Sequence, residues 1–493
     1  MPHVGAVREV QMRGAARSDR QRLRALAIAT GIGWAIAFVV LGLHYQLQTY
    51  GDGSIFSYSI AVRDAWAFHF HNISGRLFAY LIAVAPSEIY VGLTGDARGG
   101  IALYGILFFG APLAGLALTY AADRSPGRII FAAACLSTAC LCPLVFGFPT
   151  EMWMAHALFW PALALCHFAR RDAAGHAAVF AILLSLIFTH AGSAIFIVSI
   201  LLTLWLRGRD DRMLGRTLWT LVPVLAIWLA VRTGFAPDDY FAPVLARAAW
   251  HVFDWRICIS RMVLLFATAL GGYAVLCYGL RRITPRHAPL YAVAIVAVFL
   301  ASYWVYAINP VHAERRYYLR TLLILFTPVA GILAAAFALQ AQGLLQRQVP
   351  YLTQLTDRLK DTSAIRAILG AIAVVMVIHI VETGKFVTAW SDYRIAVRKL
   401  AMGTASDPSL GDARFVSSAR IDRELNRLSW WSTTPYLSVL VTPDLAPARI
   451  VFAPDANYFW LSCETATRSA HAQNPVPQDV RHLIAKYSCK HRR

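Results

Sequence analysis

Long apolar runs alternate with short polar segments along most of this chain. The runs fall at roughly 25–45, 101–122, 129–147, 152–169, 177–190, 193–206, 217–234, 258–280, 289–308, 321–340 and 367–383. Most approach the length of about 18 to 22 residues that an α-helix needs to cross a hydrocarbon core. The pair 177–190 and 193–206 is short for two crossings and reads as a tilted or partly re-entrant hairpin, with Thr189-His190-Ala191-Gly192-Ser193 at its tip. The stretch Leu77–Leu93 is also apolar, but Pro86, Ser87 and Glu88 interrupt it.

Loop charge decides how these runs thread a bilayer, because arginine and lysine gather on the cytoplasmic side. If Leu77–Leu93 lies on the surface, the arginines at 124/128, 170/171, 207/209/212/216 and 281/282/286 share one side with the N-terminus. Arg347, Arg358, Lys360 and Arg366 join them. If it crosses, all of these flip away from the N-terminal arginines. The first arrangement predicts an all-α polytopic membrane protein of about eleven spans. It has a basic cytoplasmic N-terminus (1–24), a transmembrane region (25–383) with a long first outer loop (46–99), and a soluble periplasmic region (384–493). Tyr436–Val441 and Arg449–Phe452 read as strands of a small α/β domain there, and Asp479–Tyr487 as a final helix. No internal repeat is visible, which argues against an inverted-repeat transporter.

Composition supports this layout. The 493 residues are 58% hydrophobic, and the mean hydropathy is +0.52. The net charge of +19 would suit nucleic acid. Its arginines sit in short loops between apolar runs, however, as expected of loops facing anionic lipid, and nucleic acid is not an expected partner. Six of the eight cysteines fall in or beside apolar runs. Cys463 and Cys489 lie in the polar C-terminal region and are expected to form a disulfide in an oxidising compartment. No His/Cys spacing indicates a structural metal; no cofactor is expected, and a divalent ion is left open without being indicated.

Two acids stand at the outer ends of spans. Asp52 lies between Gly51 and Gly53 just after the first span, and Glu151 lies in the short loop Phe148-Pro149-Thr150-Glu151. Carboxylates at a bilayer lip are costly to desolvate and are usually retained for chemistry. The alternatives are an Asx-type turn closing the first helix for Asp52 and a helix-end charge for Glu151. The outer loop Asn309–Arg320 breaks the charge rule with Arg315, Arg316 and Arg320 beside Tyr317. Guanidinium forks suit phosphate oxygens. In the first outer loop, His71 and Arg76 are further candidates for substrate contact.

The long first outer loop carrying Asp52, the surface helix, and Glu151 after the third span together resemble the family C (GT-C) membrane glycosyltransferases, such as protein O-mannosyltransferases and the aminoarabinose transferase. The resemblance covers roughly residues 20–340. Asp52 departs from the paired acids often found in that family, since its neighbours are glycines. The resemblance implies an inverting glycosyltransferase of the bacterial inner membrane, with a polyprenyl-phosphate sugar donor and a lipid, glycan or protein acceptor. Asp52 and Glu151 would be catalytic, and the loop arginines would bind the donor phosphate. The competing readings are a polysaccharide polymerase or ligase, a transporter or flippase, and a non-catalytic scaffold.

Overall fold

The computed structural model describes residues 3–66, 73–208, 211–234, 260–285, 287–306, 316–345, 349–403, 415–430 and 433–452, with the backbone alone at 3–17, 73–75 and 317–318. Nearly all of it is helical. Helix α1 (His3–His44) leads through one turn of 3-10 helix (Leu47–Thr49) into the short α2 (Asp52–Ala61). Helix α3 (Ile73–Ala79), a wider π-type turn (Tyr80–Val84) and α4 (Ala85–Thr94) follow in succession. Then come α5 (Ala97–Phe109) and α6 (Ala111–Ala122), bent by 42° at Gly110. The next five are α7 (Ile129–Val145), α8 (Glu151–Phe168), α9 (Ala173–Ile187), α10 (Ser193–Arg207) and α11 (Arg212–Gly234). The last long helices are α12 (Arg261–Leu280), α13 (Ala288–Tyr306), α14 (Arg320–Ala341), α15 (Pro350–Leu359) and α16 (Thr362–Met402). The C-terminal part adds β1 (Phe415–Ser417), α17 (Arg423–Asn426), α18 (Thr434–Leu440) and β2 (Ile450–Phe452). β1 and β2 pair in parallel, Phe415 opposite Ile450.

Each apolar run of the sequence coincides with a helix. Among the described residues, seven helices are long and apolar enough to cross a membrane, or eight if the bent pair α5–α6 counts as one span. The chain is thus a polytopic α-helical membrane protein by length and composition. Small residues set the closest contacts, as expected where lipid gives helices no hydrophobic drive to associate. Gly31 of α1 lies so near Cys135 of α7 that a Cβ would sit 2.5 Å from its backbone, and Gly115 of α6 lies as closely against Ala157 of α8.

These contacts also fix helix direction. At one end Gly127 faces Arg24, Arg366 pairs with Asp19 at 2.8 Å, and Arg216 donates to the carbonyls of Ala169 and Arg170. At the other end the rings of Phe38 and Phe146 meet at 5.1 Å, and the α9–α10 tip touches Met152 and Ile324. The arginine-rich loops therefore gather at one end of the bundle, and Asp52 and Glu151 lie at the other.

The segment Arg76–Thr94 qualifies as a span by length and composition, yet both its ends meet the acid end. Phe78 N donates to Phe188 O at the end of α9. Just beyond Thr94, Arg98 donates to Thr442 O of the C-terminal part. The geometry agrees with a surface segment.

One expectation is corrected. Tyr436–Val441 is not a strand: Thr434–Leu440 is helix α18, opened by Pro435, whose fixed φ suits the first helical turn. Residue 384, where the outer region was expected to begin, lies inside α16, which runs unbroken for 41 residues. That is about 60 Å, twice the roughly 30 Å of a hydrocarbon core. Its second half rises out of the bundle, where Trp390 Nε1 and Arg394 Nη1 donate to Tyr45 O at 3.0 and 3.1 Å. Cys463, Cys489 and the segment 479–487 lie outside the described residues.

An impermeant thiol reagent tests the two-ended arrangement. In intact cells Thr94→Cys should be labelled from the same side as Asn426→Cys, and Ala174→Cys should be protected. Labelling of Ala174→Cys with protection of Thr94→Cys would mean that Arg76–Thr94 crosses.

Candidate active site

Two loops carry the two acids, and they are packed against each other. Gly51 has φ +56°, and a Cβ there would fall 2.3 Å from the Phe148 ring. A Cβ on Gly53 would fall 2.3 Å from Gln48 O and 2.7 Å from Pro149 Cγ. Only glycine tolerates both the backbone conformation at 51 and the contact. Tyr50 and Trp430 close edge-on around the same Phe148 ring, at 5.6 and 5.3 Å. The glycines flanking Asp52 thus let its loop close on the Phe148–Pro149 turn that precedes Glu151.

Asp52 does not end α1. It is the first residue of α2, as Glu151 is of α8, so each acid sits where a helix N-terminus favours negative charge. Glu151 is buried, and Arg76 Nη1 donates to its Oε1 at 2.8 Å. Arg76 itself departs from helical geometry within α3 (φ −135°). Asp52 is half-buried. Its pKa is raised from 3.8 to about 6, by burial first and then by the Glu151 charge, with Arg76 and Arg320 pulling the other way.

A third group joins them from the α9–α10 tip. His190 Nδ1 accepts from Gly192 N at 2.9 Å, which leaves its ring proton on Nε2 when neutral. Burial first, then Arg76 and Arg320, push its pKa well below the usual histidine range. Asp52, Glu151, Arg76, Arg320 and His190 therefore form one electrostatic cluster, drawn from five separate segments.

The other candidates fall elsewhere. Arg316 is buried: Nη1 donates to Pro143 O (2.8 Å), Nη2 to Glu382 O (2.7 Å), and the guanidinium lies 4.4 Å over the Phe386 ring. It caps the C-terminal carbonyls of α7 and ties α7 to α16. His71 and Arg315 lie outside the described residues, and only the backbone of Tyr317 is described. His190 was not among the sequence candidates. Its signal is a histidine at the tip of a hairpin too short to be two ordinary spans. Among the described residues no cluster of histidine, cysteine and carboxylate side chains is suited to a metal ion.

Comparison with protein-family models, with curated proteins and with solved structures finds no match to this chain.

Two stability measurements follow. Below about pH 4, Asp52 is protonated in both folded and unfolded chains and contributes nothing. As pH rises towards 6 the unfolded chain loses this proton first, so folding becomes less favourable, and above pH 6 the cost is constant. Asp52→Asn should therefore raise the thermal midpoint at pH 7 and leave it unchanged at pH 4. The upper limit is about 3 kcal/mol, less in proportion to the water reaching this half-buried carboxyl. Equal midpoints at pH 7 would show that Asp52 is not strained by burial. Arg316→Ala should destabilise by about 3 kcal/mol, and Arg316→Lys should recover little, since an ammonium cannot span two carbonyls and stack on Phe386. Full recovery by lysine would rule out the clamp.

Proposed function

We propose that this protein is an inverting glycosyltransferase of the bacterial inner membrane, of GT-C type. It takes a sugar from a polyprenyl-phosphate donor and delivers it to a lipid, glycan or protein acceptor on the periplasmic face. The observation that carries the reading is the convergence of Asp52 and Glu151, beside Arg76, Arg320 and His190, at the end of the bundle opposite the basic loops. In this reading the chain crosses eleven times, with its N-terminus in the cytoplasm and its C-terminal part in the periplasm.

Asp52 takes the acceptor hydroxyl proton as that oxygen attacks the anomeric carbon. The bond from the anomeric carbon to the phosphate oxygen breaks, and the phosphate leaves with the electron pair. Inversion follows from attack opposite the leaving group. Glu151, held by Arg76, orients the acceptor and keeps the basicity of Asp52 high. Arg320 is the cation placed to stabilise the departing phosphate. Arg316 is assigned a structural part, and Arg315 and Tyr317 are assigned to contact with the donor.

One observation favours a different class. A half-buried carboxylate titrating near pH 6 beside arginines also suits a proton-coupled carrier.

The test is complementation of a deletion strain, read by mass spectrometry of glycolipids and surface polysaccharides. Asp52→Asn, at normal protein level, should lower transfer by about a hundred- to ten-thousand-fold. Arg320→Ala should raise the donor concentration needed, and Glu151→Gln should impair transfer less than Asp52→Asn. Full complementation by Asp52→Asn would sink the transferase reading. Loss of transport with an unchanged glycan profile would favour the carrier.

A further inference from the structure

Three arginines meet above the outer end of α1. Arg394 lies on α16, one turn beyond Trp390. Its Nη1 donates to Tyr45 O at 3.1 Å and its Nη2 to Gln46 Oε1, where α1 passes into the first outer loop. The remaining donor atom, Nε, is buried with no partner among the described residues. Arg398 follows four residues later, on the same face of α16 and one turn farther out. It is exposed.

Arg98 reaches the same place from α5, which runs along the last turns of α1. A Cβ on Gly105 would fall 3.0 Å from Leu43 Cδ2 and 3.1 Å from Gln48 Cδ. Arg98 lies about two turns before Gly105, beyond the end of α1, and its Nη2 donates to Thr442 O at 2.7 Å. The other charges felt by the Arg394 guanidinium are those of Arg398 and Arg98, both of its own sign. Nearby acids are turned to other tasks or to solvent. Asp96 Oδ1 accepts from Gly99 N at 2.9 Å and caps α5, and Glu88 Oε1 accepts from Ala65 N at 3.2 Å. Asp392 and Asp444 are exposed. Among the described residues no carboxylate pairs with Arg98, Arg394 or Arg398.

We propose that Arg98, Arg394 and Arg398 bind a phosphate group at the outer end of the bundle. Like charges one helical turn apart are destabilising, and charges taken out of water are normally matched by an opposite one. An anion between the three forks supplies that match. Phosphate suits them, because planar guanidinium groups pair with its oxygens in a way that an ammonium does not. Arg394 and Arg98 are anchored in advance, through Tyr45 and Gln46 on one side and Thr442 on the other. Arg398 closes the site from above with all its donors turned to solvent or ligand. The level, just beyond the end of α1, is open both to lipid headgroups and to phosphate free in solution. The site does not depend on the transferase reading, since none of the three belongs to the acid cluster.

The test has two arms on full-length protein. In the first, protein in mild detergent is heated in inorganic phosphate or in chloride of equal ionic strength. Phosphate should raise the thermal midpoint, as a ligand of the folded state does. Arg398→Gln should raise the phosphate concentration needed for half that effect about tenfold, as loss of one charge-assisted bond implies. Arg398→Lys should recover only part of it. Lys399→Gln, on a neighbouring face of α16, should match the unaltered protein. Salting-out by phosphate acts on all of them alike, so only the differences count. In the second arm, protein is exchanged into vesicles of phosphatidylglycerol and phosphatidylcholine in equal parts, and retained lipid is weighed by native mass spectrometry. A response to inorganic phosphate that Arg398→Gln loses identifies a free phosphate. Retention of phosphatidylglycerol over phosphatidylcholine that the same variant loses identifies a lipid phosphate. Arg398→Gln indistinguishable from the unaltered protein in both arms would overturn the proposal. So would a lower midpoint of Arg398→Gln in chloride, since Arg398 would then already have a counter-charge within the chain.

Discussion

The acid end of this protein depends on the absence of two side chains. Gly51 and Gly53 leave no room for a Cβ against Phe148, Gln48 and Pro149, and the backbone at Gly51 takes a φ that other residues avoid. That contact joins the turn before α2 to the turn before α8. It brings together two helix N-termini, each with an acid as its first residue. Without it the carboxylates would belong to separate loops, and Arg76 and Arg320 would have no common field to act on. A glycine pair of this kind is costly in the unfolded chain, because glycine loses the most conformational freedom on folding.

The surroundings hold that contact from both sides. Beneath it, Arg316 bridges the end of α7 and the middle of α16, while its face packs on Phe386. The Phe386 ring in turn meets Gly147 and Tyr50. Above it, α2 is buried against α18, with Tyr58 and Tyr436 rings 5.1 Å apart, in an apolar cluster that includes β1 and β2. Helix α16 spans both levels as a single rod. The described C-terminal elements therefore pack directly on the segment that carries Asp52.

The helices were largely legible in the chain, because an apolar run of span length has few other solutions. The misreadings have specific causes. Tyr436–Val441 has the aromatic and branched residues of a strand, but Thr433-Thr434-Pro435 is a helix start, and the local signal outweighs composition over so short a segment. Residues 382–394 carry charges that mark the end of a membrane span, yet charge ends the span and not the helix. Between 362 and 402 there is no proline, and a helix tolerates the two glycines, Gly370 and Gly384. At the site, Asp52 and Glu151 were legible from placement alone. Arg316 was not distinguishable from a phosphate ligand, since a guanidinium fork serves two carbonyls as well as two phosphate oxygens. His190 was hidden because its partners are distant in sequence.

The charge arrangement explains why Asp52, rather than Glu151, is suited to take a proton. Glu151 is matched by Arg76 at hydrogen-bonding distance, so one of its oxygens is already occupied by a guanidinium N–H. Asp52 feels burial and the Glu151 charge more strongly than it feels either arginine, and it titrates near 6. At pH 7 such a group is about 90% ionised, and is a stronger base than an ordinary aspartate by about two pKa units. General-base efficiency is greatest when the pKa approaches the working pH without exceeding it. Moving Asp52 closer to Arg76 would stabilise the protein and weaken the base. Removing Glu151 would ease the repulsion and lower the pKa in the same direction. The geometry holds the two acids near enough to raise one, and pairs the other so that both need not be strained.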